Sequence, residues 1–144
     1  MIRAVVDTNV WVSAFLSPHG PPAKVVEAFV DGNFVAVVPE LVLSELRLVL
    51  ARDRIRRKTG HTDEQAERYA VLIADVADVV STGGKRFGCR DPKDDALLEA
   101  AVVAGAGYVV TRDDDLKRDL DLIRHMRELN VAVVSVSTFL SQLP

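Results

Sequence analysis

The sequence has little cysteine or histidine and no long apolar stretch, and each shortage excludes a class of protein. Its single cysteine, Cys89, rules out an internal disulfide and fits a reducing cytoplasm. No paired histidine marks that thiol as a nucleophile, so we interpret Cys89 as a small, partly buried side chain. The three histidines are scattered and show no zinc-binding spacing. No apolar run approaches the ~20 residues that cross a bilayer, so we expect no membrane association.

The overall composition is that of an ordinary globular protein. With 144 residues, 49% of them hydrophobic and 27% charged, the chain is expected to form one domain over residues 1–144. The net charge of −3 argues mildly against nucleic acid as a partner, although the distribution of charge matters more than its sum.

Short apolar segments alternate with longer amphipathic ones, a pattern that predicts a doubly wound α/β fold with a parallel sheet. We predict strands at 4–7, 34–38, 78–81, 108–111 and 131–136. A long helix is predicted over 39–58, and residues 116–130 are expected to be mostly helical. Thr62 and Gln65 have the spacing of a capping box, and Asp91-Pro92 has the sequence of a helix N-terminus.

Five acidic residues stand where apolar segments end or where an apolar helix face should continue: Asp7, Glu45, Asp95, Asp113 and Asp115. Half-buried charges are costly unless a counter-charge offsets them. Asp7 and Asp113 follow strands, and ligands of open parallel sheets bind at the carboxyl ends of the strands. An oxygen-only set of ligands suits Mg²⁺ or Mn²⁺. The chemistry that such a site favours is phosphodiester hydrolysis.

Four segments in order resemble the motifs of the PIN-domain nucleases, and among them the VapC-type toxin components. These segments are Val5-Val6-Asp7-Thr8-Asn9, Pro39 to Leu46 with Glu45, Asp91 to Ala101 with Asp95, and Tyr108 to Leu116 with Asp113 and Asp115. The 16-residue step from Asp95 to Thr111 favours Asp95 over Asp94 as the third acid. We interpret Asp94 as a structural residue of the first helical turn.

The resemblance implies a three-layer α/β/α sandwich around a mainly parallel five-stranded sheet. It also implies a Mg²⁺- or Mn²⁺-dependent endoribonuclease, an RNA substrate, a homodimer, and a small antitoxin that blocks the acidic cleft. The fourth motif carries three consecutive acids, so Asp113, Asp115 or both could face the metal.

Simpler interpretations stand beside these. Asp7 could be only a helix cap, Glu45 could reach solvent, and Thr8, Asn9 and Thr111 could orient a carboxylate or only shape turns. A basic cluster is either a solvated helix end or a phosphate-contacting patch joined by Lys85, Arg86 and Arg90. That cluster comprises Arg52, Arg54, Arg56, Arg57 and Lys58.

Other functions fit less well. A receiver domain needs a lysine after a late strand, and a haloacid-dehalogenase-type phosphatase needs an aspartate where Asn9 stands. The alternative from a different class is a catalytically silent module that binds RNA or a protein partner. Finally, like-charge crowding predicts that Asp95→Asn abolishes cleavage and leaves the metal-free fold as stable or more stable.

Overall fold

Five short strands form one sheet in the order β3-β2-β1-β4-β5, and every neighbouring pair is parallel. A computed structural model describes residues 1–144, with the side chains of all except Asp114 and Asp115. The strands are β1 (Arg3–Val6), β2 (Val35–Pro39), β3 (Asp78–Val80), β4 (Tyr108–Val110) and β5 (Ala132–Val134). β-Branched valines dominate them and pack well on both faces of a covered sheet. The predicted parallel α/β fold is confirmed.

Helices cover both faces of this sheet. They are α1 (Thr8–Leu16), α2 (Pro21–Val30), α3 (Glu40–Leu50), α4 (Asp53–Thr59), α5 (Asp63–Val76), α6 (Pro92–Val103), α7 (Asp114–Arg118), α8 (Leu120–Glu128) and α9 (Val136–Gln142). Right-handed crossovers place α1 to α5 on one face and α6 to α8 on the other. In agreement, α1 contacts α2 and α3, while α6 contacts β1, β2 and β4. This is the predicted three-layer sandwich.

The predicted long helix over 39–58 is two helices. Arg52 adopts an extended backbone with φ −66° and ψ 135° and begins α4. The carbonyl of Leu50 takes a hydrogen bond from His61 Nε2 at 2.8 Å instead of an intrahelical amide. No proline or glycine marks this break, which is why the periodicity alone did not reveal it. The helical region 116–130 is likewise interrupted, because Asp119 caps α8 and accepts a hydrogen bond from the Leu122 amide.

Both predicted helix starts are confirmed. Thr62 and Gln65 form the reciprocal bonds of a capping box at α5. The Asp91 side chain accepts a hydrogen bond from the Lys93 amide at 2.9 Å, and Pro92 follows at the first helical position of α6. The cap fixes where α6 begins, and so fixes the direction of the acidic residues in its first turn.

The core beneath α1 and α2 is aromatic. Trp11 packs edge-on against Phe29 with ring centroids 5.2 Å apart, and Phe34 packs likewise against Phe139 at 4.9 Å. Trp11 Nε1 donates to the Val6 carbonyl at 3.1 Å, which ties α1 to the end of β1. In the described part of the chain, no helix is long and apolar enough to cross a membrane.

Candidate active site

The strand order reverses between β1 and β4, and the predicted first and fourth acids lie at this switch point. Val6 pairs with Val110, so Asp7 and Thr111 leave the two strands side by side. The Asp7 amide donates to the Val110 carbonyl at 2.9 Å, and its side chain is buried, with 1% of the residue exposed. Crevices at switch points are where open α/β sheets bind ligands.

Thr111 joins Asp7 to the backbone of Asp113. Its hydroxyl donates to Asp7 Oδ2 at 2.8 Å and accepts a hydrogen bond from the Asp113 amide at 2.9 Å. The Thr111 residue is fully buried. Thr111 therefore fixes one oxygen of Asp7 and leaves Oδ1, which is buried and has no hydrogen-bond partner, facing the rest of the site.

Lys93 lies between the first and second predicted acids, and sequence reasoning missed its role. Its ammonium is 3.0 Å from Glu45 Oε1 and 3.8 Å from Asp7 Oδ1. Burial lowers the pKa of Lys93, but the charges of Asp7 and Glu45 outweigh burial and raise the pKa above its usual value. Lys93 thus brings Glu45 to Asp7 as a shared counter-ion. The only sequence signal was a lysine next to the acids of the third motif.

Burial dominates the electrostatics of Asp7. It raises the pKa of the carboxyl above its usual value, although the Lys93 charge and the Thr111 hydrogen bond act in the opposite direction. Glu45 adds a further upward contribution through its charge. A carboxyl in this position gains from any additional cation that reaches Oδ1.

Asp94 is the α6 residue that the structure places with Asp7 and Asp113. Burial, and then the charges of Asp113, Asp7 and Asp91, raise the pKa of Asp94 to about 7. A hydrogen bond with the Asp113 side chain contributes in the same direction. A carboxyl group donates a hydrogen bond to a second carboxyl only when it holds a proton, and the raised pKa of Asp94 keeps this proton in a large share of molecules near neutral pH unless a cation replaces it.

Asp95, the predicted third acid, is directed elsewhere. Its Oδ1 accepts hydrogen bonds from the amides of Phe87 and Cys89 at 2.9 and 3.1 Å, and Oδ2 lies 2.8 Å from Arg86 Nε. Burial raises the pKa of Asp95, but these contacts outweigh it and hold the pKa below its usual value. Consecutive helical residues point about 100° apart. The structure therefore directs Asp94 toward Asp113 and Asp7 and directs Asp95 toward the 87–89 loop, whereas the sequence interpretation took Asp95 as the third acid and Asp94 as structural.

A cavity of about 640 Å³ opens beside Asp94 and Asp113. Arg90, Arg118 and Asp119 also line it. The predicted acid Asp115 lies outside the described side chains, so its place in the fourth motif stays a prediction. Cys89 borders the same cavity, and burial followed by contact with Asp95 raises the pKa of its thiol to about 12, which keeps it protonated.

The chemistry of these donors fits a hard divalent cation. Asp7 Oδ1 and Asp94 Oδ1 are buried oxygens without a hydrogen-bond partner, and burying a carboxylate oxygen without one is costly. As placed, however, no three acidic, histidine or cysteine side chains in the described part of the chain converge on one ion position. Lys93 supplies the cation that Asp7 and Glu45 share in this arrangement.

The basic cluster of the sequence lies on and just before α4. That helix contacts α3, and Arg56 pairs with Asp63 of α5. Arg86 pairs with Asp95, and Lys85 stands over the Phe87 ring at 5.3 Å. These contacts give Arg56, Lys85 and Arg86 intramolecular roles, which favours the simpler interpretation for these three residues.

Comparisons with known proteins agree with the fold. The sequence model of the PIN domain matches residues 3–115. An uncharacterized protein of Methanocaldococcus jannaschii is 23% identical over 130 residues, which cover 90% of this chain and 83% of that protein.

Two solved structures are also similar. One is the VapBC2 structure from Rickettsia felis, determined bound to a DNA fragment from its promoter. The matched chain has a TM-score of 0.60 and 15% identity, with 93% of this chain and 98% of that chain covered. The other is the PIN domain of human SMG5, with a TM-score of 0.47 and 13% identity over 97% of both chains. The VapBC2 likeness supports the fold.

Proposed function

Because this chain belongs to the PIN domain family, we propose that it is a metal-dependent endoribonuclease with its active site at the β1–β4 switch point. The observation that carries the proposal is Asp7 Oδ1, a buried oxygen without a hydrogen-bond partner, whose carboxyl interacts through charge with Glu45 and Asp94 and lies 3.8 Å from the Lys93 ammonium. We assign the site to Asp7, Glu45, Asp94 and Asp113, with Asp94 in place of Asp95. Asp115 stays a predicted fifth member.

Each of these residues has a distinct role in the proposal. Asp7, Asp94 and Asp113 would hold a Mg²⁺ or Mn²⁺ ion, and Glu45 would approach from α3. Thr111 orients Asp7 by fixing Oδ2. When bound, the ion supplies Lewis-acid polarisation of a phosphoryl oxygen and activation of water. Lys93 offsets the negative charge of Asp7 and Glu45 and so limits their repulsion of a phosphate group.

The test is cleavage of a mixed RNA pool by the purified protein in Mn²⁺, Mg²⁺ or EDTA. We expect cleavage that requires metal and that Asp7→Asn abolishes. The matched control is Asp31→Asn, which makes the same chemical change at an exposed residue and should cleave like the unmodified protein. Metal binding without cleavage of any RNA would refute the nuclease. Equal cleavage by the Asp7 and Asp31 variants would refute the site.

The biological role that we propose is the toxin of a toxin–antitoxin pair, acting as a cytoplasmic homodimer that a small antitoxin protein inhibits. The support is family membership together with the VapBC2 fold likeness. Induced expression should arrest growth, and Asp7→Asn should relieve the arrest without lowering the protein level. Arrest that persists with the Asp7→Asn variant would show that RNA cleavage is not its cause.

A further inference from the structure

A second cavity lies beside the proposed active site, and nothing in the proposed reaction uses it. Its volume is about 590 Å³. Thr111 and Arg112 line it, while the next residue, Asp113, lines the cavity at the acids. Three consecutive residues, Thr111 to Asp113, therefore connect the two cavities. Thr111 also donates a hydrogen bond to Asp7 Oδ2 in the proposed active site. A ligand in the second cavity would therefore be a close neighbour of the acids.

The lining of this second cavity is chemically unlike that of the first. Two cationic residues, Arg112 and Lys117, line it, together with serines from α1, from the segment after α1, and from the start of α9. Those serines are Ser13, Ser17, Ser135 and Ser137. Among the described side chains that line it, none is acidic and none is aromatic. In a protein of net charge −3, such a cavity favours an anion without offering a platform for base stacking.

Two hydrogen bonds hold Arg112 in place in the lining of this cavity. Its amide donates to Asn9 Oδ1 at 3.3 Å, and its Nη1 donates to Ser13 Oγ at 2.5 Å. The residue is nevertheless exposed. A guanidinium has five N–H donors, and a positioned fork binds phosphate oxygens well because little rotational freedom is lost on binding. Serine hydroxyls are further donors to phosphate oxygens, except that of Ser135, which donates to Thr138 Oγ1 at 3.0 Å.

We propose that this second cavity binds a backbone phosphate of the RNA strand adjacent to the phosphate that is cleaved, with Arg112 as its main contact. The inference rests on the proposed nuclease function and adds the path of the strand. The strand runs from the acids past the exposed Arg112 into the serine-lined cavity, so that RNA binding depends on Arg112. In this proposal the basic cluster on α4 lies outside the path of the strand, and its member Arg54 serves as the control.

The test measures RNA binding without cleavage, in the Asp7→Asn background and in EDTA. A fluorescein-labelled single-stranded RNA is titrated with protein at several salt concentrations. Arg112→Gln should weaken binding about tenfold, the loss expected for one charge-assisted contact. It should also reduce the slope of log affinity against log salt by about 0.7, the value for one lost phosphate contact to a single strand.

Two further variants control for folding and for general charge. Arg112→Lys keeps the charge and should restore most of the salt slope, whereas Arg54→Gln removes a charge from α4 and should bind RNA normally. Unchanged affinity and slope in Arg112→Gln would overturn the inference. An equal loss in Arg54→Gln would do the same, because the effect would then be general charge.

Two more measurements distinguish the proposed phosphate site from the proposed nuclease function on which it rests. In the Asp7-containing protein, Arg112→Gln should raise KM for RNA and leave kcat within about twofold, as expected when ground-state and transition-state binding are lost equally. If inorganic phosphate binds the cavity and RNA affinity does not depend on Arg112, the cavity is a site for a free anion and the inference fails. Absence of metal-dependent cleavage with Arg112-dependent RNA binding would instead refute the nuclease and keep the RNA site.

Discussion

The two neighbouring aspartates of α6 should respond in opposite ways to the same substitution. In the metal-free protein at pH 8, Asp94→Asn is expected to raise the free energy of unfolding, and Asp95→Asn to lower it. Both residues are buried, with 5% and 1% of the residue exposed. Both changes replace one carboxylate oxygen by an amide NH₂ group. The two variants are therefore matched in chemistry, in burial and in position on one helix.

The size of the Asp94 effect follows from its pKa. A rise from 3.8 to about 7 corresponds to roughly 4 kcal/mol if it belonged to Asp94 alone, since one pKa unit is worth about 1.4 kcal/mol. Asp94 interacts strongly with Asp113 and borders an open cavity where solvent screens its charge, so we expect Asp94→Asn to raise the free energy of unfolding by only roughly 1–3 kcal/mol. Asp95→Asn leaves Arg86 and the amides of Phe87 and Cys89 with a neutral partner in place of a carboxylate. This change should lower the free energy of unfolding by roughly 1–3 kcal/mol.

The pH dependence fixes the sign. Because the folded pKa of Asp94 is raised, its destabilisation is absent below the unfolded value near 3.8 and is complete above about 7. The advantage of Asp94→Asn should therefore grow between those limits. The folded pKa of Asp95 is lowered, so its stabilisation is present above 3.8 and is lost as pH falls through the lowered folded value.

Urea unfolding in EDTA, followed by circular dichroism between pH 4 and 8, measures both effects. With Mn²⁺ added, the unmodified protein should have a higher free energy of unfolding than Asp94→Asn, because a bound cation stabilises the ionised form of Asp94. Stabilisation by Asp95→Asn together with destabilisation by Asp94→Asn would refute the assignment of the two residues and restore the sequence interpretation.

Three further changes test single contacts of the site. Thr111→Val removes the hydroxyl that joins Asp7 to the Asp113 amide and should lower the free energy of unfolding by roughly 1–3 kcal/mol, measured by urea unfolding; no loss would contradict the Thr111 link. Lys93→Gln should lower the melting temperature in EDTA, and Mn²⁺ should raise it more in this variant than in the unmodified protein; an equal shift in Lys24→Gln, at an exposed lysine, would show a general charge effect. Cys89 should react slowly with a thiol reagent at pH 8 until urea unfolds the protein, and fast labelling of the folded state would contradict the raised pKa.

The parts of the fold that follow from local chemistry were predictable from the sequence. Short valine-rich segments alternating with amphipathic ones led to the parallel sheet, and side-chain caps at Thr62 and Asp91 marked two helix starts. The order of the motifs placed Asp7 and Asp113 at strand ends, which the structure brings to one switch point. These features depend on neighbours in sequence or on sheet topology.

The contacts that the sequence did not predict depend on the rotation of one helix and on a distant partner. From Asp94 to Ala101, α6 is buried on every side, so its hydrophobic pattern does not distinguish a site-facing residue from a loop-facing one. The direction of Asp95 depends on the 87–89 loop, because two amides of this loop donate hydrogen bonds to Asp95. The hydrophobic periodicity of α6 carries no information about that contact. Lys93 was missed for a similar reason, since its partner Glu45 lies 48 residues away.

Cleavage of RNA by Asp94→Asn and Asp95→Asn at saturating Mn²⁺, corrected for the folded fraction, tests the central claim most directly. We predict that Asp94→Asn abolishes cleavage and that Asp95→Asn retains most of it, because of these two residues only Asp94 belongs to the proposed site. Retention of activity in Asp94→Asn with loss in folded Asp95→Asn would contradict the proposed active site.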